Sequence, residues 1–351
     1  MKMGKFITVC LAVLIFLTGI TACPVMAEAA VDKEEVVTVT FAGDCSLGKI
    51  NPNGYSGTFD EYYDKYGPSY FFKNVKPYFD RCDMTMVNLE CVLSNSWDRV
   101  EKSFNIEGRP EFVSVLNYSG IDCVGIGNNH IDDFGPKGKA DTINALESIG
   151  MPYALDEKTV IYNAGNRAKI GVVAMSMLPD WGRAERVIGN DIASLKAAGC
   201  NLVFVYIHWG EEMNNYPGEH MRNLGRKCID AGADLVVGSH PHVLQGIEYY
   251  NGSYIVYSLA NFCYGGHMNP PDKDTMMVMA TFTLKNGKRT QTPILNVIPC
   301  SVSSVKNRND YCPTPLTGKE FMSVIDRLNT YSSRMHVFIN SQGTVIPVVN
   351  P

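Results

Sequence analysis

Short β-branched runs alternate with helical stretches over most of this 351-residue chain, and this alternation constrains the fold more than any other feature. The predicted strands cover residues 36–42, 84–89, 123–126, 169–175, 202–207 and 235–237. The predicted helices cover residues 71–81, 110–118, 139–149, 192–198 and 220–231. Strands that alternate with helices are typical of proteins with largely buried sheets, so we predict an α/β fold.

The pattern changes after residue 254, where strands at 254–258, 276–284 and 294–299 follow one another without helices between them. Part of the sheet system should therefore be mixed or antiparallel. The last part of the chain holds one predicted helix, at residues 318–331. We predict one domain over residues 36–299, with residues 300–351 as a C-terminal extension packed on it.

The first 29 residues are predicted to be a secretory signal peptide. Lys2 and Lys5 give a positive start, and the apolar stretch 9–20 is too short to span a bilayer comfortably. Small residues at 25–27 and 27–29 fit a signal peptidase site, whereas ITAC at 20–23 resembles a lipoprotein box. The prediction is an extracytoplasmic protein, either secreted or attached to the cell surface. Lipidation of Cys23 and an uncleaved N-terminal anchor remain alternatives.

The cysteine count argues against a disulfide scaffold. The chain has 11 cysteines, and nine remain when Cys10 and Cys23 of the leader are set aside. An odd number cannot pair completely within one chain, and no CxxC metal spacing occurs. Thiols in apolar runs, such as Cys123 and Cys200, are predicted to be buried and free. One or two disulfide bridges, for example between Cys300 and Cys312, remain an alternative.

The formal net charge of −5 gives no global basic field, so we predict no nucleic-acid partner.

Polar side chains follow six of the predicted strands, directly after each strand ends. Four of the chain's seven histidines and two carboxylates hold such positions. Ligands of open α/β sheets bind beyond the carboxyl ends of the strands, so we expect these side chains to meet at one edge. They are Asp44, Glu90, Asn128, Asn129, His130, His208, His240, His242 and Asn261, and Asn88 lies two residues before Glu90.

This set of side chains predicts a metal site. Any one of these histidines alone is more often a structural residue, but burying several such groups together is costly unless they are paired or coordinated. Oxygen and imidazole donors without thiolate suit manganese, iron or zinc. One or two divalent ions are predicted, and two ions about 3.5–4 Å apart would clamp a phosphoryl group.

His240 and His242 are separated only by Pro241. In an extended segment, residues two apart point to the same side, so both imidazoles are predicted to face the cleft. The proline fixes one backbone torsion and limits how far the pair can drift.

Six motifs between residues 36 and 299 together resemble the CapA family, bacterial proteins linked to the synthesis of poly-γ-glutamate capsules. That family is similar to calcineurin-like metallophosphoesterases, and the resemblance implies a two-sheet sandwich of mixed β-sheets flanked by helices. The motifs are GDCSLG (43–48), NLECVLS (88–94), NNHIDDFG (128–135), HWGEE (208–212), GADLVVGSHPHV (232–243) and YSLANF (257–262).

The resemblance implies a role for each candidate ligand. Asp44 and His242 would bind one metal, Glu90 would bridge, and Asn129, His208 and His240 would bind the second metal. The metallophosphoesterase pattern has a histidine where this chain has Ser46, so the first metal site would be depleted.

The resemblance also implies residues that act on a substrate. His130 would protonate the leaving group as a general acid, and Asp133 would orient it. Four further residues of the motifs are predicted to contact substrate: Ser46, Asn88, Glu212 and Asn261.

Two functions from different classes follow. The first is a metal-dependent hydrolase of the phosphoesterase type, acting on a phosphoester or an anionic polymer. The second is a non-catalytic component that binds or assembles the capsule polymer, with membrane-bound capsule synthesis proteins as candidate partners. The second function needs a basic track near the cleft, and the sequence offers Lys49, Lys102, Arg109 and Arg183. A surface protein with vestigial motifs is a third interpretation.

Overall fold

The computed structural model describes residues 33–50, 54–177 and 180–348. The predicted signal peptide and Cys23 lie outside these ranges. Within them, no helix combines the length and apolar character needed to cross a membrane.

The described residues form twenty strands and seven α-helices. The strands are β1 Glu34–Ser46, β2 Lys49–Ile50, β3 Met84–Leu89, β4 Val92–Leu93, β5 Ile106–Gly108, β6 Cys123–Gly125, β7 Tyr153–Ala154, β8 Val160–Ala164, β9 Ala168–Ser176, β10 Leu202–His208, β11 Leu235–Ser239, β12 Ile247–Tyr250, β13 Ser253–Val256, β14 Asn261–Tyr264, β15 Asp274–Lys285, β16 Lys288–Arg289, β17 Ile294–Ser301, β18 Thr314–Pro315, β19 Val337–Ile339 and β20 Thr344–Pro347. The helices are α1 Phe59–Tyr66, α2 Lys76–Phe79, α3 Val113–Ser119, α4 Gly135–Ser148, α5 Trp181–Ala197, α6 Glu219–Asp230 and α7 Gly318–Tyr331. Two short 3₁₀ turns cover Pro68–Tyr70 and Pro110–Phe112.

Two mixed sheets carry the fold. The larger sheet has eleven strands, with the path β19-β20-β17-β15-β1-β3-β6-β7 and with β14, β16 and β18 paired at its side. The smaller main sheet has the order β12-β13-β11-β10-β9-β8. Its inner strands are parallel, and the pairs β12–β13 and β8–β9 are antiparallel. A third, three-stranded sheet has the order β2-β5-β4.

The main hydrophobic core lies between the two large sheets. Phe41 of β1 meets Phe204 of β10 edge-on with ring centroids 5.5 Å apart, and Phe204 lies 5.3 Å from Phe282 of β15. A second cluster of buried residues joins the larger sheet to α1, α3 and α4, and a third joins the six-stranded sheet to α5 and α6. The protein is therefore a two-sheet sandwich flanked by helices, as predicted.

Strand β1 is longer than predicted and continues through Asp44 to Ser46. The candidate ligand Asp44 thus lies inside the strand, paired with Asn88 on β3 and Asn261 on β14. Strand β3 and helix α7 have the predicted bounds.

The predicted helix over residues 71–81 is wrong. The region contains turns and only the four-residue α2, which begins just before Pro77. Phe71 and Phe72 are both buried, at 0% and 2% exposure, and they stack on Phe59 and Phe262, which come from distant elements. Helix α5 is longer than predicted because it begins where Asp180 accepts a hydrogen bond from the backbone nitrogen of Arg183.

All nine cysteines in the described ranges are free thiols, and eight of them are buried. Cys300 and Cys312 do not form a bridge. The predicted free, buried thiols are confirmed.

The C-terminal residues extend the larger sheet at its edge. Strand β20 pairs with β17, with Val345 opposite Leu295, and β19 pairs with β20. The boundary at residue 299 stays a prediction.

Candidate metal centre

The candidate ligands converge where the carboxyl ends of strands from both main sheets meet. Asp44 and Glu90 come from β1 and from the end of β3 in the larger sheet, whereas His208 ends β10 and His240 follows β11 in the six-stranded sheet. The side chains that follow the strand ends thus lie at one edge, where the sequence predicts them.

Glu90 lies at the centre of the group and is completely buried. Its Oε1 is 3.3 Å from His208 Nε2 and 4.0 Å from Nε2 of both His130 and His242. Neither carboxylate oxygen has a hydrogen-bond partner among the described residues. Burial, together with the nearby Asp44 carboxylate, raises the pKa of Glu90 well above its usual range. An unpaired buried carboxylate is costly, and a bound cation would remove that cost.

Asp44 is also fully buried, but its oxygens are occupied. Oδ1 accepts from Asn88 Nδ2 at 2.7 Å, and Oδ2 accepts from the backbone nitrogen of His240 at 3.0 Å. Burial outweighs these donors and raises the pKa of Asp44. The preceding Gly43 is required by space, because a Cβ there would lie 1.9 Å from the carbonyl oxygen of Ala260.

His208 and His240 are buried and uncharged at neutral pH. His208 Nε2 lies 2.8 Å from Asn129 Oδ1, and its Nδ1 lies 3.1 Å from Ser239 Oγ. Burial lowers the pKa of His208 well below its usual range, and burial with neighbouring histidines lowers the pKa of His240 to about 3. His240 Nδ1 has no hydrogen-bond partner within the described ranges. Neutral imidazole is the form that binds metals.

The prediction of an extended backbone at His240 and His242 is wrong. Both residues have positive φ, 94° and 58°, so the chain turns here rather than continuing β11. The two rings nevertheless face the same site, with centroids 5.8 Å apart. His242 Nδ1 donates to Asn261 Oδ1 at 2.9 Å, which leaves its Nε2 directed at Glu90.

Two groups of side chains have the geometry to hold a metal ion. One contains Glu90, His240 and His242, and the other contains Asp44, Glu90 and His208; within each, one donor atom per residue lies within 4.8 Å of the others. Glu90 is common to both, as expected of a bridging carboxylate. The groups divide the histidines differently from the two sites implied by the resemblance. The orphaned oxygens of Glu90 and the oxygen and imidazole donors fit a divalent cation.

His130 and Asp133 form a buried pair beside this centre. His130 Nδ1 donates to Asp133 Oδ2 at 2.7 Å, so its Nε2 faces Glu90. Lys102 donates to Asp133 Oδ1 at 2.5 Å and to the carbonyl oxygen of Asn129 at 3.0 Å. The backbone nitrogen of Ile106 also donates to Asp133 Oδ2. Asp133 is thus held by His130, Lys102 and Ile106, and it fixes the orientation of the imidazole.

The four residues predicted to contact substrate have different surroundings. Asn88 donates to Asp44, while its Oδ1 accepts from Asn128 Nδ2, and Asn261 holds His242. Ser46 is buried, and no partner for its Oγ exists in the part of the chain that the structure describes. Glu212 is exposed and close enough to raise the pKa of Glu90. Asn88 and Asn261 therefore contact ligand residues directly.

Of the predicted basic track, only Lys102 contacts the centre. Lys49 and Arg109 both approach Asp60, at 3.7 and 3.6 Å, and Arg183 pairs with Glu157. The predicted cations therefore do not form a continuous track at the site.

The sequence did not predict the contact of Tyr264 with the site: its ring centroid lies 5.8 Å from that of His242. This tyrosine ends β14, three residues after Asn261, and the alternation of side chains along a strand gave no reason to single it out. His267, a further candidate for the cleft because it lies in the loop after β14, is exposed and accepts from the backbone nitrogen of Asn269.

Comparison with known proteins gives consistent matches. Residues 38–265 match the family described as "Bacterial capsule synthesis protein PGA_cap". The chain is 27% identical over 350 residues to "Capsule biosynthesis protein CapA" of Bacillus anthracis, covering 91% of this chain and 78% of that protein. It is 30% identical over 251 residues to "PGA biosynthesis protein CapA" of Bacillus subtilis (strain 168), covering 66% of this chain and 64% of that protein. A solved structure of a hypothetical protein from Thermus thermophilus aligns with 74% of this chain and 99% of its own, at TM-score 0.45 and 14% identity.

Proposed function

Because this chain belongs to the family of bacterial capsule synthesis proteins PGA_cap, we propose that it works in the synthesis or export of a capsule polymer of the poly-γ-glutamate type. Two relatives carry names that refer to capsule or PGA biosynthesis, and one of them aligns over 91% of this chain. We further propose that it acts outside the cytoplasm, which the predicted signal peptide supports, and that it is a metal-dependent hydrolase.

The observation that carries the hydrolase proposal is the state of Glu90. Glu90 is fully buried, its two oxygens have no partner among the described residues, and the imidazoles of His208, His130 and His242 approach it. Such a carboxylate is energetically costly unless a cation binds to it. The residues that would hold the ion or ions are Asp44, Glu90, Asn129, His208, His240 and His242. Manganese, zinc and iron all suit this donor set. When bound, such an ion supplies Lewis-acid polarisation and lowers the pKa of water.

The chain's own residues would supply proton transfer and positioning. Protonated His130 would give its Nε2 proton to the leaving group and become the neutral ring with its proton on Nδ1, while Asp133 at Nδ1 would hold the ring in the orientation this requires. Lys102 would hold Asp133 in place and keep a positive charge beside the region where an anionic substrate binds. A phosphoester and a carboxylate-bearing polymer are the substrate classes that fit this charge arrangement.

The test is metal content and turnover measured on the same preparations. Protein loaded with manganese, zinc or iron should retain divalent metal after gel filtration and should hydrolyse a chromogenic phosphodiester. Glu90→Gln and His208→Ala should lose metal by more than the roughly 10–100-fold that removal of an outer hydrogen-bond partner costs. His220→Ala is the matched control, because that imidazole is exposed and contacts Trp181. Wild-type protein that retains no metal under any loading condition would contradict the proposal.

A non-catalytic binding or assembly component is the second candidate, and Ser46 favours it. This buried hydroxyl stands where metallophosphoesterases have a metal-binding histidine, and its Oγ has no partner among the described residues. In this alternative the protein binds metal and polymer without turnover. Metal-replete protein that binds the polymer but hydrolyses neither phosphodiesters nor γ-glutamyl peptides would favour it over the hydrolase.

A further inference from the structure

Away from the metal centre, three tyrosines of one surface region stack on one another. Tyr66 and Tyr70 lie with ring centroids 4.7 Å apart and 19° between their planes, and Tyr62 lies 5.7 and 5.9 Å from these two rings. We call Tyr62, Tyr66 and Tyr70 the tyrosine platform. Tyr62 is buried, whereas Tyr66 is 46% exposed and Tyr70 is half-buried. The platform therefore presents aromatic surface to solvent.

Three exposed cations surround the platform. Lys65 Nζ lies 5.0 Å from the centroid of the Tyr66 ring, and Lys73 Nζ lies 4.0 Å from that of Tyr70. Arg308 is close enough to Tyr62 to act on its hydroxyl electrostatically. None of the three has an ion-pair partner within residues 33–50, 54–177 and 180–348. Rings hold the two lysines by cation–π contact, so their charges stay available to a ligand.

The carboxylates near these cations accept hydrogen bonds from other groups, and of these Glu61 still acts electrostatically on Lys65. Glu61 accepts from the backbone nitrogen of Gly57 at 2.6 Å, and Asp64 pairs with Arg109. Asp310 is buried and accepts from the side chains of Ser303, Ser304 and Tyr70. Because the whole chain is acidic, with a formal charge of −5, a group of unpaired cations over aromatic rings stands out as a local attraction for anions.

A cavity of about 350 Å³ opens beside the platform. Tyr62, Lys65, Tyr66, Arg308 and Asn309 are among its lining residues. Asn309 Nδ2 donates to the carbonyl oxygens of Tyr264 and His267, at 2.7 and 3.0 Å. The ring of Tyr264 in turn lies against His242. One loop therefore borders the cavity on one side and the metal centre on the other.

We propose that the tyrosine platform, with Lys65, Lys73 and Arg308, is a docking site for a flexible chain of carboxylates, and that it holds the polymer beside the metal centre. This deepens the proposed function and rests on it for the identity of the polymer. Carboxylates would form charge-assisted hydrogen bonds with the three cations, while the methylene groups between them lie on the exposed rings. Several weak contacts along one chain add up to useful affinity, and added salt weakens them.

The test is isothermal titration calorimetry with a length-fractionated poly-γ-glutamate, with inorganic polyphosphate and dextran as comparison polymers. Wild type should bind poly-γ-glutamate, more weakly as salt is added, and should not bind dextran. The triple variant Lys65→Glu, Lys73→Glu, Arg308→Glu should bind roughly tenfold or more weakly. All three side chains are exposed, so the variant should fold, and its circular dichroism and metal content should match wild type.

The matched control is a second triple charge reversal, Arg186→Glu, Arg222→Glu, Lys288→Glu. These residues are also exposed but lie on α5, α6 and β16, away from the platform. The control should keep wild-type affinity.

The outcomes separate this inference from the hydrolase proposal. Loss of polymer binding in the platform variant alone supports the docking site, even if no preparation hydrolyses a phosphodiester. Equal loss in the control, equal binding by the platform variant and wild type, or no binding by wild type overturns it. Tighter binding of polyphosphate than of poly-γ-glutamate overturns the assignment to a carboxylate chain.

Discussion

Glu90 Oε1 and His208 Nε2 lie 3.3 Å apart, although their strands belong to different sheets of the sandwich. Neither side chain is accessible to solvent by more than 1%. Burial raises the pKa of the carboxyl and lowers the pKa of the imidazole, which leaves each group closer to neutral than an ion pair would be. The two side chains therefore do not neutralise each other, and both remain available to a cation.

The first prediction concerns stability and pH. The folded-state pKa of Glu90 is raised above its unfolded value of 4.5, so its contribution to stability is present below that value and is lost as pH rises through the folded pKa. Metal-free Glu90→Gln should therefore become more stable relative to metal-free wild type as pH rises from about 5 to about 8. Calorimetric Tm values of the two chelated proteins measure this. A difference in Tm that does not change with pH would contradict it.

The second prediction compares the two histidines around Pro241. His240 is 4% exposed with an unpartnered Nδ1, whereas His242 is more exposed and its Nδ1 is bonded to Asn261. His240→Ala should therefore lose more metal than His242→Ala. Metal content after equilibrium dialysis measures both losses, and equal losses would contradict the larger contribution of His240.

The third prediction concerns Asn261, which accepts from His242 Nδ1 and so fixes the tautomer that leaves Nε2 free. Asn261→Ala should weaken metal binding by about 10–100-fold, because outer hydrogen-bond partners of metal ligands contribute about that much. Titration with a competing chelator measures the affinity. Asn190→Ala, at an exposed position of α5, is the control and should bind as wild type does. Unchanged affinity in Asn261→Ala would remove the positioning role.

The fourth prediction separates proton transfer from metal binding. His130→Gln should lower kcat by about 10²–10⁴-fold, the usual contribution of a positioned general acid. Its metal content should be close to that of wild type, because His130 is not among the two groups that can hold an ion. Turnover of a chromogenic phosphodiester and metal analysis on one preparation check both parts. Full activity in this variant would exclude His130 as the acid.

Much of the fold could be predicted because the spacing of apolar residues along the chain indicates which side chains are buried. The strand Met84–Leu89 and the helix Gly318–Tyr331 have their predicted bounds. The region 71–81 was mispredicted: Phe71 stacks on Phe59 and Phe72 on Phe262, and such tertiary contacts can override local preference. Packing against distant elements does not produce a periodic pattern of apolar residues in the local sequence.

The site was predictable to the extent that it follows strand ends. Asp44, Glu90 and His208 meet because carboxyl ends of strands meet. The positive φ of His240 and His242 was not predictable, since it is set by the turn after β11. The contact of Lys102 with Asp133 was also hidden, because it joins residues 31 apart through an irregular segment.

The division of the ligands between two sheets has a mechanical consequence. Asp44 and Glu90 belong to the larger sheet, and His208 and His240 to the other, so an ion bound among them would be a cross-link at the open end of the sandwich. The segment after β13 also joins the two sheets there, because the backbone nitrogen of Leu259 donates to the carbonyl oxygen of Gly238 in β11 and that of Asp44 in β1 donates to Ala260. Loss of the ion would remove one of these cross-links, so amide hydrogen exchange at the ends of β3 and β10 should be faster in the metal-free protein than in the metal-bound protein.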